Sequence, residues 1–357
     1  MPEAPKKKGT GFLSFDDLML MRDPAWLVKG LIPVGSYGSI IGHSQSFKTF
    51  FALGIGLSLA TGRAPFKNCE PDEFVPTQFL MIAGEGVDSL KARVRAWCEH
   101  QGVEFEDPAI GVQPEPSTIN DERALKDLIR RIKAARRPGH RLFIVVDTLS
   151  QNFTGDENST EEMRKFVQGI STLSRDLRAP VDNLGEENAT VVFIHHLGKD
   201  TSRGARGSSL LMGDVDFQIT LKRSSMERLE TEVIVTKQKA AATGSQGVVE
   251  MVKHFGTGVE DTLDETLVCG DELKRVSKTD RLRSEEAGDR QGWLVENVKD
   301  GMEAKELEAS LMDKFGVSKT TAHRDVKALL RNYKELSEET GADNRKIIRG
   351  EIAAENA

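Results

Sequence analysis

Between Ser36 and Gly62 the chain passes from an apolar run through a polar turn into a longer apolar run, an order that few folds accommodate. Tyr37 to Ile41 reads as a short buried strand. Phe50, Phe51, Leu53, Ile55, Leu57 and Leu59 read as a helix that Gly62 stops. The turn between them carries Gly42, Lys48 and Thr49 at the first Gly, the Lys and the Ser/Thr of the pattern G-x-x-x-x-G-K-S/T. In that pattern the backbone N–H groups of the loop, here His43, Ser44, Gln45, Ser46 and Phe47, face phosphate at a helix N-terminus. Lys48 would reach the outer phosphates and the Thr49 hydroxyl would ligate Mg²⁺. Phe47 replaces the second Gly, so the expectation is a loop that avoids positive φ at 47 and leaves room for a ring. The competing reading is a Ser-rich turn between a strand and a helix.

Two acids lie where such a site needs them. Phe79 to Ala83 is a continuous apolar run of the kind found in doubly buried parallel strands, and it ends in Gly84-Glu85-Gly86. Glu85 at a strand's carboxyl end either orients an attacking water or serves as an N-terminal acid for the helix from Val87 to His100. Leu142 to Val146 is a second apolar strand, and it delivers Asp147 as the acid of a Mg²⁺ site. Amphipathic helices are expected over 121–137 and after Ser159-Thr160, with a fourth buried strand at Thr190 to Ile194. Strands at Phe217 to Leu221 and Glu232 to Thr236 follow without a helix between them. The fold class is therefore α/β, a mostly parallel sheet with helices on both faces and a hairpin-like antiparallel edge.

The ends of the later strands carry polar residues. His195 and His196 are neighbours, so they point to opposite faces of a strand, and a polar sensor fits better than a metal pair. The loop from Lys199 to Ser209, with Arg203 and Arg206, either touches phosphate or is simply solvated. Glu232 to Thr236 runs into Lys237-Gln238-Lys239.

A formal net charge of −7 excludes a surface built uniformly to coat nucleic acid and leaves room for a local basic face. Cys69, Cys98 and Cys269 are too widely spaced for a zinc site or disulfide framework, which fits a reducing cytoplasm. The start, with Lys6 to Lys8 and then Gly9, lacks the apolar core of a secretory signal, and no apolar run nears the ~18 residues of a membrane span.

The blocks at 42–49, 84–86, 145–149, 155–160, 195–199, 205–211 and 237–239 together resemble the RepA-like, AAA_25-type branch of the RecA/DnaB superfamily. That resemblance implies a RecA-like fold, ATP and Mg²⁺ as cofactors, and a homo-oligomeric ring, usually a hexamer. It makes Lys48 and Thr49 the phosphate and metal ligands, Glu85 the catalytic base and Asp147 the metal-site acid. His196 would sense the γ-phosphate, Arg206 would lie near the nucleotide or a channel loop, and Lys237 and Lys239 would reach into a neighbouring subunit's site. Lys199 and Arg203 are candidates for DNA contact. Ala240 stands where an acid often follows in these relatives.

Expected domain limits are 1–25 for a partly disordered lead-in, 26–258 for the ATPase, 259–290 for a charged linker and 291–352 for a small helical domain. In the last, helices at Gly292 to Val298, Ala304 to Phe315 and from Ser318 onward give a helix-turn-helix pattern, with Lys346 to Arg349 as a wing strand. Lys319, Thr320, Thr321, His323 and Arg324 would open the recognition helix; a protein-docking role for the same module is the alternative. The functional expectation is a DNA translocase or helicase in replication of a plasmid, phage or mobile element. The alternatives are an ATP-gated DNA-binding regulator or loader, and a small-molecule kinase.

Overall fold

The computed structural model describes residues 14–20, 23–71, 74–84, 86–104, 109–181, 185–187, 189–197, 213–223, 228–255, 265–274, 278–333, 336–340 and 345–350. A short helix α1 (Phe15–Met19) and the hairpin β1 (Trp26–Val28) and β2 (Ile32–Pro33) lead into β3 (Tyr37–Gly42) and α2 (Lys48–Ala60). Then come β4 (Thr77–Ala83), α3 (Val87–Gln101), β5 (Ile110–Gln113), α4 (Glu122–Ala135), β6 (Arg141–Asp147), α5 (Thr160–Asp176), the small hairpin β7 (Ala179–Val181) and β8 (Gly185–Glu187), and β9 (Ala189–His196). β10 (Phe217–Arg223), β11 (Glu230–Gln238), β12 (Gly244–Phe255) and β13 (Glu265–Cys269) complete the main sheet.

That sheet has nine strands in the order β13-β12-β11-β10-β3-β9-β6-β4-β5. The run from β10 to β5 is parallel, and β11, β12 and β13 continue it antiparallel. Strand periodicity sorts the side chains onto two cores. Phe79, Met81 and Ala83 of β4, Phe143 and Val145 of β6, and Val192 and Ile194 of β9 face α2 and α3. Leu80 and Ile82, Leu142, Ile144 and Val146, and Val191 and Phe193 face α4 and α5. Burial on both faces is why these strands read as unbroken apolar runs.

The stretch 259–290, expected as a linker, instead holds β13 and much of a helix. Val268 and Cys269 of β13 are buried, and a Cβ at Gly54 of α2 would come within 2.8 Å of the Cys269 Cβ, so β13 is packed hard against that helix. The short helix expected at 292–298 is likewise the end of α6 (Lys278–Asn297), a 20-residue helix. Among the described residues of 259–290, Val268, Cys269 and Leu273 are buried.

After α6 come α7 (Ala304–Phe315), α8 (Lys319–Asn332) and the antiparallel pair β14 (Ser337–Thr340) and β15 (Lys346–Arg349). Leu294, Leu307, Leu311, Val326, Leu329 and Ile348 form a separate core. Gly316, at φ 64°, closes α7, and the Ser318 hydroxyl accepts from the Thr321 N–H to cap α8. Arg290 of α6 meets Asp325 of α8 at 2.6 Å, both side chains 7% exposed.

Candidate functional site: the phosphate loop and its acid

β3 ends at Gly42, and the loop turns there because nothing larger fits. A Cβ at 42 would lie 2.5 Å from both the Leu221 carbonyl of β10 and the Ser46 hydroxyl. Beyond it, Gln45 and Phe47 adopt positive φ, 61° and 66°. The expectation that Phe47 would avoid this region is overturned. Its ring is buried in the core facing α2 and lies under the Arg223 guanidinium, 4.5 Å from the ring centroid, so packing offsets the backbone cost.

Lys48, 4% exposed, folds back over the loop, its Nζ donating to the carbonyls of Gly42 at 2.9 Å and His43 at 2.6 Å. Burial lowers its pKa to about 8, opposed by the charge of Asp147. Burial, with Lys48 and Lys222 adding, also lowers the pKa of His43. The Thr49 hydroxyl donates to Asp147 Oδ2 at 2.8 Å. Asp147 is delivered by β6 on the face that carries α2, and it is 4% exposed. A hydroxyl and a carboxylate side by side at the first turn of a helix are the hard oxygen donors that Mg²⁺ takes, with phosphate and water filling the remaining positions. The donor set fits that ion, and Lys48 and the loop N–H groups fit the phosphates.

A cavity of about 280 Å³ opens beside this pair, lined by Thr49, Ala83, Gly86, Arg93 and Asp147 among others. Arg93 is the residue that reading the sequence missed. It sits on α3 with its guanidinium 4.6 Å from the Phe50 ring centroid; burial pulls its pKa down and Asp147 opposes. It lies eight residues past Glu85 on α3, and no motif in the sequence singles it out. A larger cavity of about 830 Å³ between α3 and β5 includes neither Lys48 nor Asp147 in its lining.

The histidine pair divides as strand geometry requires. His196 pairs with Gly42 across the ladder and shares the parity of Val192 and Ile194, on the α2 side. His195 takes the other face, its Nδ1 buried with no hydrogen-bond partner among the described residues, and its pKa is lowered to about 4 by burial, His196 and Lys48. Lys237 and Lys239 lie elsewhere. Gln238 pairs with Phe217, which pairs with Gly38, so the two lysines stand at the entry end of β3 while the phosphate loop leaves its exit. Lys237 is level with Ser39 and Lys239 with Tyr37, so along the strand roughly 10–17 Å separate them from Gly42. There Lys237 donates to the Gly213 carbonyl at 2.7 Å and Lys239 to Asp216 at 2.8 Å. Glu85, Lys199, Arg203 and Arg206 lie outside the described residues.

On α8, Lys319, Thr320, His323 and Arg324 are exposed and Thr321 is half-buried. His323 meets Glu308 of α7 at 2.6 Å, and Arg324 approaches Asp325 at 3.4 Å. No group of three or more His, Cys, Asp or Glu able to hold a metal occurs among the described residues, and no helix there is long and apolar enough to cross a membrane.

Comparison with curated proteins returns no match. Residues 13–202, more than half of the chain, match the family AAA_25, described as an AAA domain. This span contains the phosphate loop, Asp147 and His196, and a nucleotide-binding ATPase domain, usually working with Mg²⁺, is what the match implies. With its large, mostly parallel sheet and helices on both faces, the chain belongs to the AAA_25 family of P-loop ATPases.

Proposed function

We propose that the protein is an ATP-hydrolysing, ring-forming DNA translocase or helicase of RepA type, acting in replication of a plasmid, phage or mobile element. The observation that carries the reading is a phosphate loop at one end of β3 and a lysine pair towards the other, bonded there to Gly213 and Asp216. Lys48 and the loop amides bind the triphosphate; Thr49 and Asp147 hold Mg²⁺, which neutralises charge on the phosphates. Glu85 activates the attacking water, Arg93 steadies charge developing at the cavity wall and His196 reports the outer phosphate. Lys237 and Lys239 of one copy complete the site of the next, Lys199 and Arg203 contact the DNA strand, and Arg206 serves the nucleotide or a channel loop.

The C-terminal unit, read as a winged helix, offers Lys319, Thr320, Thr321, His323 and Arg324 to duplex DNA. Its separate core favours one other reading, an ATP-gated DNA-binding regulator or helicase loader that does not unwind. Turnover measured with and without single-stranded DNA, alongside sizing with ATP, tests the proposal. Stimulation by DNA in an assembled form, abolished by Lys48→Ala, is expected; a monomer indifferent to DNA overturns it. Forked-duplex unwinding against site-specific duplex binding separates the two readings.

A further inference from the structure

The position that is glycine in the phosphate-loop pattern is Phe47, and it takes a left-handed conformation that is unfavourable for an L-residue. Gln45, two residues earlier, does the same, and these are the positive-φ non-glycine residues among those described. Alternating left- and right-handed residues turn successive N–H groups into one concavity, the arrangement that receives anions. Something must hold it, because neither residue favours it alone.

One side chain touches both. Arg223, at the end of β10, lies 4.5 Å from the centroid of the Phe47 ring and also donates from Nη1 to the Gln45 carbonyl at 3.5 Å. Its Nε donates to the Arg228 carbonyl at 3.1 Å, on the far side of the β10–β11 turn, which fixes the guanidinium plane. Phe47 is buried, so its ring is clamped between the core and a cation. A guanidinium stacks on an aromatic face as an ammonium does not.

We infer that Arg223 is a positioning residue for the phosphate loop, clamping Phe47 and Gln45 in the left-handed geometry that glycine would otherwise supply, and so preorganising the amides that bind triphosphate. This rests on reading residues 42–49 as the ATP site. Arg223 acts through the loop, and the reacting phosphate is not its partner.

The test is a double-mutant cycle on the full chain, read by calorimetric titration with MgATP and by steady-state turnover. Arg223→Ala is expected to weaken MgATP binding on the order of tenfold and to raise KM more than it lowers kcat. Arg223→Lys keeps the charge and is expected to lose most of the same affinity. In a Phe47→Gly background, Arg223→Ala is expected to change affinity by less than about twofold, because the glycine needs no clamp. An equal loss in both backgrounds, or no loss in either, overturns the inference. Should Arg223→Ala fail to fold, Phe47→Leu removes the stack from the other side and is expected to give the same tenfold loss; unchanged affinity there overturns the inference. A folded wild-type chain that does not bind MgATP would instead overturn the reading of the site itself.

Discussion

The Thr49 hydroxyl hydrogen-bonds Asp147 at 2.8 Å although 98 residues separate them, so the first turn of α2 and the end of β6 are joined at the point where a metal would sit. Asp147→Asn keeps the shape and removes the charge. Mg²⁺-dependent phosphate release is expected to fall on the order of 10²–10³-fold, as for loss of one preorganised electrostatic group, while the melting temperature changes little. Retained turnover would exclude Asp147 from the metal site.

Lys48 gives a pH signature. Its pKa is lowered to about 8 from 10.5, so between those values the unfolded chain binds more protons than the folded one. Stability of the nucleotide-free protein is therefore expected to rise with pH across that window, the cost of the buried charge being fully present below about 8. Lys48→Met should flatten this slope in denaturant titrations at several pH values. MgATP binding above pH 8 should take up a proton, seen as a buffer-dependent calorimetric enthalpy, because the phosphates favour the charged amine.

Arg93 shares a cavity with Thr49 and Asp147. Arg93→Ala is expected to lower kcat on the order of 10–10²-fold with a smaller change in KM, the pattern of a group that acts mainly in the transition state. Single-turnover hydrolysis measures it, and an effect confined to KM would make Arg93 a ground-state contact.

Much of this was legible beforehand, and the reason is burial. β3, β4, β6 and β9 are covered on both faces, so their sequences are apolar without interruption and their carboxyl ends could be located to within a residue or two. β5, β12 and β13 escaped notice because they are short, half-exposed or charged: β5 is partly solvated along its length, and β12 interleaves Glu250 and Lys253 with buried Val249 and Met251. Arg93 escaped for a related reason, since helical spacing cannot tell a cation facing a cavity from one facing water. Phe47 was misjudged because backbone preference was weighed without a distant partner, and Arg223 is 176 positions away in sequence.

Gly42→Ala should be far more damaging than its size implies. The added methyl would sit 2.5 Å from the Leu221 carbonyl and the Ser46 hydroxyl, one of them backbone that cannot yield cheaply. Destabilisation of about 1–3 kcal/mol is expected from overpacking, together with loss of MgATP binding. Equilibrium unfolding in urea checks the first and calorimetry the second.

The ion pair between Arg290 and Asp325 has a practical corollary for anyone dissecting the chain. Both groups are buried at 2.6 Å, so loss of Arg290 would leave the buried Asp325 carboxylate with the exposed Arg324, at 3.4 Å, in place of its close, buried counter-ion. A fragment cut at 291, the limit that composition proposes, severs that bond and should be poorly soluble or molten. Cloning from a site ahead of Lys278 keeps the whole of α6, and the excised piece should then give a dispersed amide spectrum.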